Sequence, residues 1–299
     1  MSVNIFKPEL WSRTILNELD TMTSMRKHSD YRFNSEIKYG TKLHITEAGG
    51  TTIRDYTPGV DITLENADGK DVILEITERK YFAKYYDDVD MVQSIKGVME
   101  NDMKQSAKEL RLTADKFVAN KLKDGIITGV TFNSDEDGQS EVRKIKVSDP
   151  YTVAKNTIVR TVEDGLTYLY SMNVTPETEI WGEFSPVMYS YMREYLTELA
   201  TSNLDLMKRG IIGRYNNVNI TIENVLPNNT VNGQFVRYNF LRTGKAFAFA
   251  EQIDRIKATE KERGFGDIVK GLYVYGGVIV RPYEAYAIAE KCATDVPTI

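Results

Sequence analysis

The chain has 299 residues, of which 41% are hydrophobic and 27% charged, and its formal net charge is -5. These proportions exclude a wholly disordered chain and argue against a protein that coats nucleic acid with a basic face. The single cysteine, Cys292, cannot form an intramolecular disulfide, and no stretch approaches the ~18 consecutive apolar residues of a membrane span. We therefore expect a folded protein that needs neither oxidation nor a membrane.

The first predicted element is a short amphipathic helix close to the N-terminus. Pro8 suits the first turn of a helix, and Trp11, Ile15 and Leu19 recur at four-residue spacing, so that they form one apolar stripe. Because an isolated helix of this length is only marginally stable in water, it must pack against another surface. That surface can belong to the same chain or to a neighbouring copy, and the sequence leaves both open.

The segment from Ser35 to Lys84 has the alternating pattern of β-strands. Its middle part, between Gly49 and Lys70, contains few apolar residues for its length, which predicts a long two-stranded excursion with polar faces. A two-stranded ribbon is not stable by itself, so we expect it to need a neighbouring surface. The predicted strands cover residues 36–39, 42–46, 52–56, 61–64, 72–76 and 79–83.

The strongest helical pattern extends from about Asp90 to Leu122. Apolar residues recur every three or four positions, and the carboxylates at positions 87, 88 and 90 suit a helix N-terminus, where the helix dipole favours anions. The pair Asp124-Gly125 is the predicted end of the helix. At 1.5 Å per residue the helix would be roughly 50 Å long. Its one-sided apolar stripe predicts that it lies along a sheet.

The second half of the chain mixes helices and strands without a regular repeat. A helix is predicted to begin at Asp149-Pro150, and Gly276-Gly277 is interpreted as a turn or a bulge. The other predicted segments are strand-like runs at 126–132 and 141–147, a strand at 179–184, a helix at 185–199, a strand at 218–225, a loop at 227–229 and buried strands at 246–250 and 272–280. With no compositional break along the chain, this pattern predicts an α+β fold.

The sequence lacks the residue patterns of a catalytic or metal site. His28 and His44 are the only histidines, and neither has the spacing of metal ligands or of a catalytic triad. There is no GxxxxGK[ST] motif, and no GxGxxG motif follows a predicted strand. The Asp87–Asp90 cluster is better explained as a cap for the long helix than as a metal site. We therefore expect no cofactor and no enzymatic activity.

Several short motifs occur in an order that resembles the major capsid proteins of tailed bacteriophages, which have the Hong Kong 97 fold. The segments that carry the resemblance are Phe6–Ser12 with Ile15-Leu16, Tyr39–Ile45, Arg54–Tyr56, Lys80–Ala83, Tyr86–Asp90, Phe265–Gly276 and Arg281-Pro282. The likeness covers nearly the whole chain, and it rests on the order and spacing of these segments together.

The resemblance implies an architecture for the chain. Residues 1–45 would form an N-terminal arm, 46–82 an extended loop that reaches over an adjacent subunit, and 83–148 a peripheral domain with the long helix as its spine. Residues 149–270 would form an axial domain, and 271–299 a strand that returns to the peripheral domain. The implied contacts between subunits involve Trp11, Ile15, Arg54, Tyr56, Pro58 and Lys70.

The same resemblance implies a function in assembly. Copies would form pentamers and hexamers that close into an icosahedral shell around double-stranded DNA, which would face the inner surface without specific binding. The expected partners are further copies of the chain, a separate scaffolding protein and a portal, and assembly would take place in the bacterial host cytoplasm. Some relatives crosslink a lysine to an asparagine between subunits. Lys70 lies in the corresponding region, but no partner asparagine can be assigned.

Two other hypotheses stay open at this point. An encapsulin-type compartment would have the same fold but would enclose cargo enzymes, and the sequence patterns do not separate it from a phage shell. An α+β enzyme that uses carboxylates such as Asp87 and Asp90 belongs to a different class. Replacing both aspartates by asparagine would abolish the activity of such an enzyme, whereas a shell protein has no turnover to lose.

Overall fold

A computed structural model describes most of the chain. The described residues are 24–37, 40–48, 52–56, 58, 61, 64, 69–87, 98–127, 157–198, 213–231, 233–260 and 264–291. Within them the helices are α1 (Val98–Ile127), α2 (Ile158–Ser171) and α3 (Pro186–Glu198). The strands are β1 (Lys42–Ala48), β2 (Gly69–Glu75), β3 (Glu78–Asp87), β4 (Ile180–Phe184), β5 (Arg214–Tyr215), β6 (Val218–Ile222), β7 (Asn228–Val231), β8 (Gln234–Thr243), β9 (Phe247–Glu260), β10 (Gly266–Ile279) and β11 (Ala285–Lys291).

The strands β1 and β2 form an antiparallel hairpin, but the predicted two-stranded excursion between Gly49 and Lys70 is wrong at its described residues from 52 to 64, which lie in no strand. β1 and β2 pair from Lys42 opposite Glu75 to Ala48 opposite Gly69. Because side chains alternate between the two faces of a strand, Leu74 points inwards and is fully buried. Around it lies a small apolar cluster from the hairpin base and from β9, namely Ile37, Ile76, Ala248 and Ala250.

Three of the predicted strands are wrong at their described positions. Residues 52–56 pair with no strand, and neither do Asp61 and Leu64, the two described residues of segment 61–64. The described side chains of 52–56 are exposed, which fits a segment without a partner strand in its own subunit. In the predicted strand 36–39, Ile37 belongs instead to a helical turn that carries its side chain into the hairpin-base cluster.

The long helix lies along a sheet, as predicted. β3, β10 and β9 form a three-stranded antiparallel sheet with β10 in the centre, and α1 packs on one face of it. Ala114, Val118 and Leu122 recur every fourth residue of α1 and are fully buried, so one stripe of the helix meets the sheet. The segment before Val98, with Asp88 and Asp90, is outside the described residues.

The predicted end of this helix at Asp124-Gly125 is wrong, because α1 continues to Ile127. A Cβ atom on Gly125 would come within 2.2 Å of the Ile279 Cδ1 atom at the end of β10. Gly125 therefore allows helix and sheet to approach closely, and it does not terminate the helix. Ile126, which was assigned to a strand, is the penultimate residue of the helix.

The second sheet has six strands and carries two helices on one face. Its order is β11-β8-β4-β6-β5, β7 pairs with β8, and β4 is parallel to β6. The buried residues Val162, Leu166 and Leu169 of α2 pack with Phe184 and Leu241 of the sheet. The predicted helix start at Asp149-Pro150 lies outside the described residues. The predicted loop 227–229 is wrong in part, because positions 228 and 229 begin β7.

The predicted turn or bulge at Gly276-Gly277 is wrong, because both residues lie within β10, and the register irregularity of this strand falls between Leu272 and Tyr273. A Cβ atom on Gly276 would lie 2.2 Å from the carbonyl oxygen of Glu75. Glycine is therefore required because the link from β2 to β3 crosses β10 at backbone contact distance. This crossing fixes the hairpin base to the three-stranded sheet.

Near residue 270 the pairing of the strands does not follow the boundary between segments that the resemblance implies. β9 lies in the proposed axial segment 149–270, yet it pairs with β10 in the same sheet as β3 of the proposed peripheral segment. The boundaries of the five segments stay a prediction. The mixture of helices and sheets confirms the α+β class.

Candidate subunit contact surface

The described residues between β1 and β2 are exposed in the single subunit. We call these residues (52–56, 58, 61 and 64) the hairpin tip. Its apolar side chains are open to solvent, with exposed fractions of 93% for Ile53, 72% for Tyr56 and 86% for Leu64. Exposed apolar groups at this density are typical of a surface that a partner covers. Among the predicted contact residues, Arg54, Tyr56 and Pro58 belong to this tip and are exposed.

The other three predicted contact residues are not among the residues that define the hairpin tip. Lys70 lies in β2 with its backbone opposite Glu47, and Trp11 and Ile15 are outside the described residues. Three of the six predicted residues therefore belong to the hairpin tip, and the role of all six in contacts between subunits stays a prediction. Ile53 and Leu64 were missed, although their apolar character in a polar segment was a usable signal.

The hairpin has one apolar face, which packs in its own subunit, and one largely polar face that is exposed. Leu43, Ile45 and Leu74 face the cluster at the hairpin base. On the other face the Lys42 Nζ atom lies 3.2 Å from the Glu75 carboxylate, and an additional contact of 2.6 Å joins the His44 Nδ1 atom to the Asp71 carboxylate. These exposed pairs fix the register of the strands but contribute little to stability.

A second exposed group of aromatic side chains lies on the three-stranded sheet. Tyr81 of β3 is 78% exposed, and Phe265, in the turn between β9 and β10, is 83% exposed. The Tyr85 hydroxyl lies 2.8 Å from the Phe265 carbonyl oxygen and 2.9 Å from the Asp87 carboxylate, so it ties this turn to β3. The sequence analysis placed Phe265 in a segment that carries the family resemblance but gave its side chain no function.

Residues 24–37, which we call the strap, are held inside the subunit. The Asp30 N–H group donates to the Phe247 carbonyl (2.8 Å), and the Phe249 N–H group donates to the Asp30 carbonyl (3.0 Å). Met25 and Ile37 are buried in two different apolar clusters. The strap therefore belongs to the folded core, although its sequence reads as a polar segment.

A buried ion pair holds the carbonyl groups of the strap. Arg242 and Glu183 are both fully buried, and the Arg242 guanidinium donates to both Glu183 carboxylate oxygens at 2.7 and 3.1 Å. The same guanidinium donates to the carbonyls of Met25 (2.6 Å) and His28 (2.8 Å). Burial alone would raise the pKa of Glu183, but Arg242 and His28 outweigh it and hold that pKa below its usual value. The His28 ring also stacks on Trp181, with centroids 3.9 Å apart.

A second polar group fixes the strap to the three-stranded sheet. The Arg26 guanidinium contacts the Glu251 carboxylate and the Tyr273 hydroxyl, and that hydroxyl lies 2.6 Å from the same carboxylate. Burial raises the pKa of Tyr273 well above its usual value; Arg26 lowers it in part, whereas Glu251 raises it further. The phenol therefore stays neutral and can donate to Glu251.

The titratable groups described above serve packing. Within the described ranges, no group of three or more His, Cys, Asp and Glu side chains is placed to bind a metal ion. None of the described helices is long and apolar enough to cross a membrane. Of the carboxylate cluster in the enzyme hypothesis, Asp87 lies in β3 beside Tyr85, and Asp88 and Asp90 are outside the described residues.

Comparisons with known proteins give structural matches but no sequence matches. No family model and no curated protein matches the chain. A structure of Mycobacterium phage Che8 is similar, with a TM-score of 0.68 and 20% identity over 89% of this chain and 90% of that chain. The capsid structure of cyanophage P-SCSP1u has a TM-score of 0.68 and 15% identity over 91% and 88% of the two chains. The mature capsid of bacteriophage PhiM1 has a TM-score of 0.67 and 15% identity over 92% of this chain and 88% of that chain.

A virus-like particle from Pyrococcus furiosus is a more distant match, with a TM-score of 0.52 and 9% identity over 94% of this chain and 98% of that chain. At such identities a structural likeness establishes fold and not function. The chain has the fold of these phage capsid structures, which confirms the predicted Hong Kong 97 fold.

Proposed function

We propose that the chain is the major capsid protein of a tailed bacteriophage. Its copies form pentamers and hexamers that close into an icosahedral shell around double-stranded DNA. The observation that carries this proposal is the shared fold over about nine tenths of both chains with phage capsid structures. The exposed apolar hairpin tip supports it, because a repeated contact with a neighbour would cover that surface.

The hairpin tip is the first contact surface in this proposal. Ile53 and Tyr56 supply apolar area, and Arg54 and Pro58 lie beside them, so a neighbouring subunit would bury the tip as an interface core. Lys70, Trp11 and Ile15 complete the proposed set of contacts. Many weak contacts of this kind, repeated around a shell, give a stable assembly without any single strong pair.

The proposed segments follow the resemblance with two adjustments. Residues 1–45 form the arm, 46–82 the extended loop, 83–148 the peripheral domain, 149–270 the axial domain and 271–299 the return strand. The pairing of β9 with β10 favours counting β9 with the peripheral domain. The strap favours counting residues 24–37 with the core of their own subunit, because they are packed into it.

The remaining parts of the proposal concern partners and location. The shell assembles in the bacterial host cytoplasm with a separate scaffolding protein and a portal, and the finished capsid belongs to the virion. Packaged DNA faces the inner surface without specific binding, in keeping with the net charge of -5. The subunit acts as a structural protein and has no enzymatic activity.

Electron microscopy of the purified full-length chain tests the proposal. We expect closed shells of uniform size when the chain is expressed alone or with its scaffolding protein. Ile53→Ser should reduce shell yield strongly, because it removes the most exposed apolar group of the tip. Ile222→Ser is the matched control, since Ile222 is also exposed (49%) but lies on β6 of the six-stranded sheet. If the wild-type chain forms only monomers or small oligomers in both conditions, the proposal is wrong.

An encapsulin-type compartment is the second candidate, favoured by the likeness to the virus-like particle from Pyrococcus furiosus. The two candidates differ in what the particle contains. Particles isolated from the native source should contain double-stranded DNA if the chain is a phage capsid protein. Particles that contain one protein species and no DNA would favour the compartment.

A further inference from the structure

The first part of the strap contacts both sheets. On the side of the six-stranded sheet, Arg242 of β8 donates to the carbonyls of Met25 (2.6 Å) and His28 (2.8 Å). The His28 ring also stacks on Trp181 of β4, with the two ring planes 10° apart. On the side of the three-stranded sheet, the backbone of Asp30 exchanges two hydrogen bonds with β9, of 2.8 and 3.0 Å. The strap therefore bridges the two sheets.

The last part of the strap belongs to the base of the hairpin. Ile37 is buried in the hairpin-base cluster together with Leu74 of β2, and Phe33 packs against the same cluster. The side-chain amide of Gln252 in β9 donates to the Ile37 carbonyl (2.6 Å). A backbone N–H group of β9 donates to the side-chain oxygen of Asn34 (3.0 Å). The end of the strap that leads into β1 is therefore fixed to β9 by hydrogen bonds and by apolar packing.

The hairpin base has one attachment on each of its two strands. On the β2 side, the link to β3 crosses β10 at Gly276, where a Cβ atom would lie 2.2 Å from the Glu75 carbonyl oxygen. On the β1 side, the attachment is the strap. Apolar packing holds the base against the sheet, but this force has no preferred direction. One crossing would leave the hairpin free to swing about that point, whereas the second attachment fixes its direction.

We propose that the strap positions the hairpin tip and that Arg242 holds the strap in place. Arg242 lies outside the hairpin and acts through the strap, so it is a positioning residue. Rings of copies close only when the rotation between neighbours is suitable. A tip with a fixed direction relative to the six-stranded sheet supplies that rotation, because the tip is the contact surface of the proposed shell. This inference rests on the proposed function, since it gives the strap a task in assembly.

The Arg242 guanidinium suits this task because it is planar and presents its donors in a fixed fork. Its Nε and Nη2 atoms donate to the Glu183 carboxylate, and its Nη1 and Nη2 atoms donate to the two strap carbonyls. A lysine would keep a positive charge beside Glu183, but one ammonium group cannot cover the carboxylate and both carbonyls. Arg242→Lys therefore separates the hold on the strap from the charge.

Hydrogen exchange of unassembled full-length subunits tests the inference. In Arg242→Lys, we expect the amide hydrogens of β1 and β2 to exchange about tenfold faster than in the wild type, because the hairpin base opens more easily. Asn34→Ala is a second variant with the same expected result, since Asn34 is only partly buried and contacts β9 next to the hairpin. Leu166→Ala is the matched control. Leu166 is buried in the α2 cluster, so this variant loses stability but should keep the wild-type exchange of the hairpin.

A disulfide between the strap and β9 distinguishes an effect through the strap from a general loosening. Asp30 and Ala248 form a parallel bridge. Paired residues of neighbouring strands lie about 4.8 Å apart, within the range of about 4.4–6.8 Å that a disulfide spans. Asp30→Cys and Ala248→Cys are added to Arg242→Lys in a Cys292→Ser background, which removes the only other cysteine. We expect the oxidised protein to regain slow exchange in the hairpin and the reduced form of the same protein to lose it.

The outcomes separate the strap from the shell itself. Wild-type exchange of the hairpin in both strap variants, an equal increase in Leu166→Ala, or a formed disulfide without effect overturns the inference and leaves the shell proposal intact. Electron microscopy of Arg242→Lys should show mostly open or irregular particles, and the disulfide should restore closed shells. Closed shells of wild-type size from reduced Arg242→Lys contradict the inference. If the wild-type chain forms no particles, the proposed function fails, whereas the exchange rates still decide whether the strap positions the hairpin.

Discussion

The strap and the hairpin tip differ in what surrounds them in the single subunit. In the strap, carbonyl groups accept hydrogen bonds from Arg242, a guanidinium that is buried beside Glu183 in the same subunit. In the tip, Ile53 and Leu64 leave most of their apolar surface in water. The difference indicates that the strap is stabilised within the subunit, whereas the tip gains stability only when another surface covers it. Substitutions in the two regions should therefore affect different measurements.

The largest expected effect on the free energy of unfolding comes from breaking the buried Arg242–Glu183 ion pair, which contacts the strap. Arg242→Ala leaves the Glu183 carboxylate buried without its main partner, and removing one member of a buried pair typically costs about 3–5 kcal/mol. Urea denaturation of unassembled subunits measures this loss. Arg237→Ala, on the same strand but only partly buried, is the control. A loss below about 1 kcal/mol would show that the pair does not hold the strap.

The next effect compares the base of the hairpin with its tip. Leu74→Ala should cost roughly 2–5 kcal/mol in the free energy of unfolding, because it opens a cavity among fully buried side chains. Ile53→Ala should change the same quantity by less than about 0.5 kcal/mol, since this side chain is 93% exposed. Equal effects at both positions would contradict the distinction between a buried base and an uncovered tip.

A smaller effect is expected at the crossing that anchors the hairpin. Gly276→Ala places a methyl group 2.2 Å from the Glu75 carbonyl oxygen, so the backbone must shift. Overpacking of this kind typically costs about 1–3 kcal/mol. Gly213→Ala is a suitable control, because a Cβ atom there would have no neighbour within 4 Å. Thermal denaturation of both variants measures the difference, and equal melting temperatures would argue against a close crossing.

The smallest expected effect is a dependence of the free energy of unfolding on pH in the acid range. Because the pKa of Glu183 is lower in the folded subunit than in the unfolded chain, its stabilising contribution is complete above the ordinary value of 4.5. That contribution is lost as the pH falls from 4.5 towards the lower pKa of the folded state. Glu183→Gln should therefore flatten the loss of stability below pH 4.5, although it lowers stability at neutral pH. Parallel curves for the two proteins would show that another group causes the acid sensitivity.

Sequence patterns predicted those parts of the fold that depend on neighbours along the chain. Strand alternation predicted β1, β2 and β3, and the spacing of apolar residues every three or four positions predicted the long helix. Glycine was misread at positions 125 and 276, because helix ends, turns and close packing all favour it. Only the packed structure shows which backbone or side chain lies opposite each of these glycines.

The strap and the groove could not be predicted, because each joins residues that are far apart in sequence. Arg242 meets carbonyl groups more than 200 positions earlier in the chain, and no local pattern marks such a contact. The groove between β3 and α1 combines Phe82 with Leu110, and these two residues are not neighbours in the sequence. The motif around Phe265 was visible in the sequence, but its exposure depends on the two glycine conformations and on the Tyr85 hydrogen bond.

The sequence by itself determined that this chain is an α+β protein with an under-packed hairpin and one long helix, since periodicity and apolar density are local properties. Tertiary structure decided which apolar groups the subunit buries and which it leaves uncovered. Leu74 and Ile53 belong to the same hairpin and are both apolar, yet one is fully buried and the other 93% exposed. The physical reason is that burial depends on what packs against a side chain from elsewhere in the fold.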